Sequence, residues 1–154
     1  MNWNKYPKKS KKPGMRKTIE EKGYRELIPV LDKEFSIYVR MKAADGHGVV
    51  KCVTCGARHL WTGGMTLGHY ISRAHHSVRW NEMNSAPQCV RCNSYRAGEP
   101  HKMRAYLVER YGEEAIKEVE RFAEITKTET AESLRMKIIE YREKIRLLKM
   151  ERGL

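Results

Sequence analysis

No stretch of the sequence approaches the roughly 18 to 20 apolar residues that a bilayer-spanning helix needs, and the basic start is not followed by the apolar core of a signal peptide. A soluble, cytoplasmic protein is therefore expected. Internal repeats are also missing, and 154 residues leave room for one ordinary domain with a modest core. Cysteine is sparse, at four residues, and in a reducing compartment these call for an explanation other than disulfides.

Acidic residues are few where the chain is most basic. Residues 1–51 hold 13 basic and 6 acidic side chains, residues 52–112 hold 8 and 3, and residues 113–154 hold 10 of each. The net charge of +12 thus belongs to the first two thirds of the chain, and it points to an acidic polymer, most often nucleic acid, as partner. Residues 1–17 form a basic arm with seven Lys and Arg, two prolines and no acid. Such a segment has too little apolar surface to order alone. It reads either as a set of phosphate contacts through Lys5, Lys8, Lys9, Lys11, Lys12, Arg16 and Lys17 or as a solubilising tail.

Hydrophobic spacing divides the remainder. From Pro29, read as a first-turn residue, Leu31, Phe35, Tyr38 and Met41 recur at helical intervals until Asp45-Gly46-His47-Gly48. Strand-like pieces around Leu60-Trp61 and from Thr66 to Ile71 flank Thr62-Gly63-Gly64, which reads as a hairpin turn. Helix is expected after Cys89, over residues 103–111 and 113–125, and again after the N-cap candidate Thr130. In the last helix Leu134, Ile138, Tyr141, Ile145 and Leu148 form a short heptad seam, suited equally to packing within the domain or to a dimer contact.

The strongest local signal is a pair of knuckles, Cys52-Val53-Thr54-Cys55-Gly56 and Cys89-Val90-Arg91-Cys92-Asn93, separated by 33 residues. Two CxxC pairs complete the tetrahedral sulfur shell that zinc prefers. Redox dithiols or an iron–sulfur centre are the other readings. A zinc bound by four sulfurs has no open position, so its role would be structural.

Between the knuckles lie Gly68-His69-Tyr70, Arg79-Trp80-Asn81-Glu82-x-Asn84 and Gln88-Cys89-x-x-Cys92-Asn93, followed by Gly98. With His69, Asn84 and Asn93 in order, this stretch resembles the HNH endonucleases, in which a β-hairpin and a helix grip one divalent metal. The four-cysteine form is similar to the junction-resolving endonuclease VII type. More specifically, residues of about 30–150 resemble the NinG/Rap recombination proteins of lambdoid phages, with Tyr106, Tyr111-Gly112-Glu113-Glu114 and the last helix extending the likeness.

That resemblance implies an α+β fold: a zinc-braced ββα-metal (HNH, or His-Me finger) element with a packing helix before it and a helical region after it. The expected divisions are an arm over 1–17, a helical segment over 18–51, the nuclease core over 52–112 and a helical region over 113–154. The implied activity is metal-dependent nicking of branched or recombination-intermediate DNA, in a prokaryotic cytoplasm and encoded by a phage or prophage. Phage or host recombination proteins are the further partners it implies. His69 would be the general base, its neutral imidazole accepting a proton from water. Asn84 would accept the other ring proton, with a turn-forming Asn as the plainer alternative. Asn93 would offer an oxygen to Mg²⁺ or Mn²⁺, or simply cap the helix after the knuckle.

Many relatives carry an acid or second His where this chain has Gly68. His75, His76 and Glu82 are the candidates to complete the metal shell, with coordination by His69 itself, in place of its base role, as the alternative. Arg73, Arg79, Arg91, Arg96, Lys102 and Arg104 would grip phosphates. Trp80 reads as core, or as a platform for an unpaired base. Two cuts across a junction suit a homodimer, with the neutral last helix as its interface. The competing classes are a zinc-clamped DNA-binding module without catalysis and a sequence-specific HNH enzyme of restriction or homing type.

Overall fold

A computed structural model describes residues 17–153, so the arm residues Lys5, Lys8, Lys9, Lys11, Lys12 and Arg16 lie outside the described residues. The first helix, α1, spans Tyr24–Lys42 and starts five residues before Pro29. Glu26 in its first turn takes the Gly23 N–H at 3.0 Å and supplies the cap. Pro29 therefore sits in the second turn, where its missing N–H costs one helical bond at the exposed Arg25 carbonyl. Burial of Leu27, Leu31, Phe35, Tyr38, Val39 and Met41 along one face offsets that loss.

The strands pair differently from the sequence expectation. β1 (Val49–Lys51) and β2 (Arg58–Leu60) form an antiparallel hairpin around the first knuckle. β3 (Met65–His69) instead pairs with β4 (Ser85–Cys89), in the register Met65↔Cys89 to His69↔Ser85. The pieces on either side of Thr62-Gly63-Gly64 are thus not partners. Gly64 turns the chain at φ +78°, but toward a second sheet.

A short helical turn over Arg91–Tyr95 follows β4 directly. Then come α2 (Pro100–Tyr111), α3 (Glu113–Glu124) and α4 (Ala131–Arg152). Thr130 caps α4 as expected, its side chain accepting from the Ser133 N–H at 3.0 Å.

Three buried clusters hold these pieces together. α1 and α4 share the largest, in which Phe35 and Tyr38 meet Tyr141 at ring-centroid separations of 5.1 and 5.3 Å. Leu134, Ile138, Tyr141 and Ile145 are all buried there, so the heptad seam packs within the chain. Both ends of α4 also hold the chain around α1, one at the C-terminal end of α1 and the other at the segment just before it. Arg152 donates to the Met41 and Ala44 carbonyls at 2.7 and 2.9 Å, and Arg135 donates to the Ile19 and Lys22 carbonyls at 3.1 and 2.9 Å. The second cluster surrounds the cysteines with Ala44, Val50 and Met65, and the third joins Ala86 of β4 to Met103, Leu107 and Ile116. Among the described residues, no helix is long and apolar enough to cross a membrane.

Candidate functional site

The four cysteines converge. Their sulfurs all lie within 4.8 Å of one another, and Cys55 and Cys89 are 3.8 Å apart. Four sulfurs at about 2.3 Å from one tetrahedral ion stand about 3.8 Å from each other, so this cluster fits zinc. Gly56, at φ +77°, lets the first knuckle fold back so that the Cys52 N–H reaches the Ala57 carbonyl at 2.7 Å. Burial pushes the Cys52 thiol up, but backbone donors at Cys89, Cys55 and Thr54 outweigh it and bring the group down to about 7. Cys92, buried beside the other three sulfurs, is pushed up to about 12 by burial first and then by those sulfurs.

The second knuckle ends β4 and opens the Arg91–Tyr95 turn, which carries Asn93 back over β3. The Asn93 amide nitrogen donates to Thr66 Oγ1 at 3.0 Å and to the Leu67 carbonyl at 3.2 Å. Thr66 spends its own proton on the Gln88 carbonyl at 2.9 Å, so both Asn93 partners are acceptors and the carboxamide orientation is fixed. Among the described residues, no hydrogen bond is made to Asn93 Oδ1.

His69 ends β3 and lines the same cleft of about 510 Å³ as Asn93, together with Asp32, Lys33, Ser72 and Arg73. Its Nε2 lies 3.0 Å from the Arg79 carbonyl. A carbonyl only accepts, so Nε2 carries the proton and Nδ1 is the ring's free lone pair. Burial holds the imidazole well below its ordinary range, at about 4, with Arg73 and Arg79 pressing the same way against the Arg79 hydrogen bond and Asp32. The ring is neutral at neutral pH.

The ring proton therefore goes to Arg79, not to Asn84. Asn84 is fully buried and its amide is committed elsewhere. Its Oδ1 accepts the Ile71 N–H at 2.8 Å, and its Nδ2 donates to the Ile71 and Val78 carbonyls at 3.0 Å each. It pins the two ends of the loop that delivers the Arg79 carbonyl, so it supports His69 indirectly.

The three residues expected to complete a metal shell lie elsewhere. His75 donates from Nδ1 to the Ala123 carbonyl at 2.9 Å. His76 hydrogen bonds with Tyr24 at 3.2 Å and packs edge-on to Trp80, while Glu82 pairs with Lys42 at 2.7 Å. None lines the cleft. The loop leaves β3 and turns toward α1 and α3, carrying these side chains with it.

Gly68 has its own reason. A β-carbon there would lie 2.1 Å from Gln88 Oε1 and 2.7 Å from Met103 Cε. Gln88 is fully buried and tethered through Nε2 to Thr54 Oγ1 and the Gly98 carbonyl, each at 2.6 Å, so it cannot swing aside. Gly68→Ala is accordingly expected to destabilise the protein by roughly 1–3 kcal/mol, read from urea unfolding midpoints. An unchanged midpoint would show that this face of β3 has room for a side chain.

The basic residues separate in a similar way. Arg79 forks onto Asp32, with Nη2 to Oδ2 at 2.6 Å and Nε to Oδ1 at 2.9 Å. Arg96 pairs with Glu99 at 3.3 Å, Lys102 also pairs with Glu99, and Arg104 pairs with Glu113 and Glu120 at 2.7 and 2.9 Å. Arg73 and Arg91 are exposed, and Arg73 lines the cleft. Trp80 is buried and donates to Asp32 at 2.9 Å, so it is core and not a base platform. Asp32 and Lys33 were not expected at the site, since the polar face of an amphipathic helix ordinarily faces solvent.

Comparison with known proteins places these features in a family. The profile described as "NinG: Bacteriophage Lambda NinG protein" matches residues 3–151. "Protein ninG" of Escherichia phage lambda is 37% identical over 70 residues, covering 45% of this chain and 33% of that protein. The Salmonella phage P22 protein of the same name is 32% identical over 103 residues, covering 66% of this chain and 49% of its own. The chain thus spans a third to a half of the length of these relatives. No solved structure matches.

Proposed function

The chain belongs to the NinG family of phage proteins, and from that premise we propose that it is a metal-dependent DNA endonuclease of the HNH type. Its substrate on this reading is branched or recombination-intermediate DNA, nicked by a water that His69 deprotonates. One observation carries the reading: His69 and Asn93, from the end of a strand and from the turn after the second knuckle, line one cleft beside Arg73 and Lys33. β3, β4 and the Arg91–Tyr95 turn follow the strand–strand–helix order of the ββα-metal element, with the cysteine cluster bracing its base.

The chain's own groups divide the work. His69 is neutral, has one nitrogen held by the Arg79 carbonyl and keeps the other for a proton. Arg73 and Lys33 draw the phosphate into the cleft. Asn93 Oδ1 would be the protein oxygen offered to a Mg²⁺ or Mn²⁺, a hard cation that favours oxygen ligands. Such an ion would neutralise charge on the phosphate and the departing oxygen.

The decisive experiment incubates the protein with matched four-way and linear DNA, with and without Mg²⁺. Mg²⁺-dependent nicking of the junction is the expected result. Binding without cleavage would favour the DNA-binding module, and cutting of linear DNA at fixed sequences would favour a restriction or homing enzyme. The pH profile adds a second expectation. Because the free enzyme's imidazole loses its proton at about 4 and not near 6.5, kcat/KM should hold as pH falls through 6 and decline only as 4 is approached. A midpoint near 6.5 would argue against a buried, neutral His69 as the base.

A further inference from the structure

Resting on the reading of His69 as the base, we propose that Asp32 of α1 is a positioning residue of this site, acting through Arg79 to fix the His69 ring in one tautomer and one orientation. The side chain comes from outside the strand–strand–helix element. It reaches His69 through a continuous set of contacts.

Asp32 takes the Arg79 guanidinium in a two-pronged grip, Oδ1 accepting from Nε at 2.9 Å and Oδ2 from Nη2 at 2.6 Å. The Trp80 indole N–H donates to the same Oδ1 at 2.9 Å, so residues 79 and 80 are both tied to one carboxylate. The remaining guanidinium nitrogen, Nη1, donates to the Arg73 carbonyl at 2.9 Å across the loop. With the side chain of Arg79 held on these sides, its backbone carbonyl stands 3.0 Å from His69 Nε2. A planar fork is suited to this, because it fixes direction as well as distance.

Two plainer roles fit less well. As a metal ligand, Asp32 would have to give up donors, since its two oxygens already take three N–H groups. As a purely structural ion pair it would be a poor investment. The Asp32 and Arg79 side chains keep only 23% and 15% of their exposure, and an ion pair buried to that extent recovers little beyond its own desolvation. The direction of the Arg79 carbonyl is what the grip does secure. When His69 takes a proton, the charges around it are Arg73 and Arg79 on the loop and Lys33 and Asp32 on α1, Asp32 being the lone carboxylate lining that cleft among the described residues. Asp32 therefore also offsets the cations that oppose the imidazolium.

The test uses the full chain carrying Asp32→Asn, with Asp32→Glu as the conservative variant. Imidazole ¹⁵N shifts read the tautomer of His69 whether or not the protein cuts DNA. In the parent protein the Nε2–H form should dominate. Asp32→Asn should give a mixture of tautomers and a fall in kcat of tenfold or more, with KM for DNA within about twofold, and Asp32→Glu should recover most of both. If Asp32→Asn does not fold, Arg79→Lys tests the same link from the other side, because a lysine keeps the charge but cannot make the fork. Retention of a single Nε2–H tautomer and full kcat in whichever of these two variants folds would overturn the proposal. A parent protein with the expected tautomer and no cleavage of any DNA would instead overturn the nuclease reading and leave the contact standing.

Discussion

His69→Ala is expected to lower Mg²⁺- or Mn²⁺-dependent nicking of a four-way junction by about 10²–10⁴-fold, the range a positioned general base supplies. The variant should otherwise stay intact. Its loop remains pinned by Asn84 to Ile71 and Val78, and the Arg79–Asp32 grip does not involve the imidazole. Zinc content should be unchanged, since the sulfur cluster lies on the other end of β4 from the residue that pairs with His69. DNA affinity, measured by titration in the absence of divalent metal, should stay within about twofold because Arg73 and Lys33 are untouched. Undiminished cleavage by this variant would remove His69 from the base role and force the proton onto another group.

Cys89→Ser should act on structure before chemistry. Structural zinc contributes about 10–16 kcal/mol to the folding of small metal domains, as much as the whole stability of an ordinary domain. Cys89 is buried, ends β4 and stands 3.8 Å from Cys55. Removing its thiolate should release the metal and, with it, the hairpin β1–β2, the pairing of β3 with β4, and the placement of Asn93. Helicity should survive in large part, because α1 and α4 keep a core that contains no cysteine. Metal analysis should find no zinc in the variant. Amide exchange should become fast over residues 49–98 and stay slow in α1 and α4. A variant that retained zinc and slow exchange would show that the four sulfurs do not share an ion.

The chemistry that depends on local spacing was legible from the chain alone. Two CxxC knuckles specify a four-sulfur site wherever the intervening residues go, and the cap at Thr130 with its apolar seam marks α4 directly. Pairing partners were not legible in the same way. Alternation marks β3 as a strand, but nothing in residues 58–71 says that Arg58–Leu60 folds back on Val49–Lys51 while Met65–His69 waits for Ser85–Cys89. His75 and His76 show the same limit, since nearness to His69 in sequence did not become nearness in space once the loop turned away. Asp32 is the clearest omission. On a helical wheel it is one more polar residue on a solvated face, and only the packing of α1 against the loop turns it toward Arg79.

The grip of α4 on the end of α1 and on the segment before it has a consequence for how the molecule comes into being. α1 is made well before the helix that completes it, their contact at Arg152 and Met41 lying 111 residues apart, and contacts so distant in sequence form late. The cleft borrows Asp32 and Lys33 from α1, so a nascent chain that has already emerged through both knuckles still lacks a settled wall on that side. Maturation of the cleft is in this way tied to translation of α4, and a chain truncated before Arg135 would carry the sulfur site without a finished pocket.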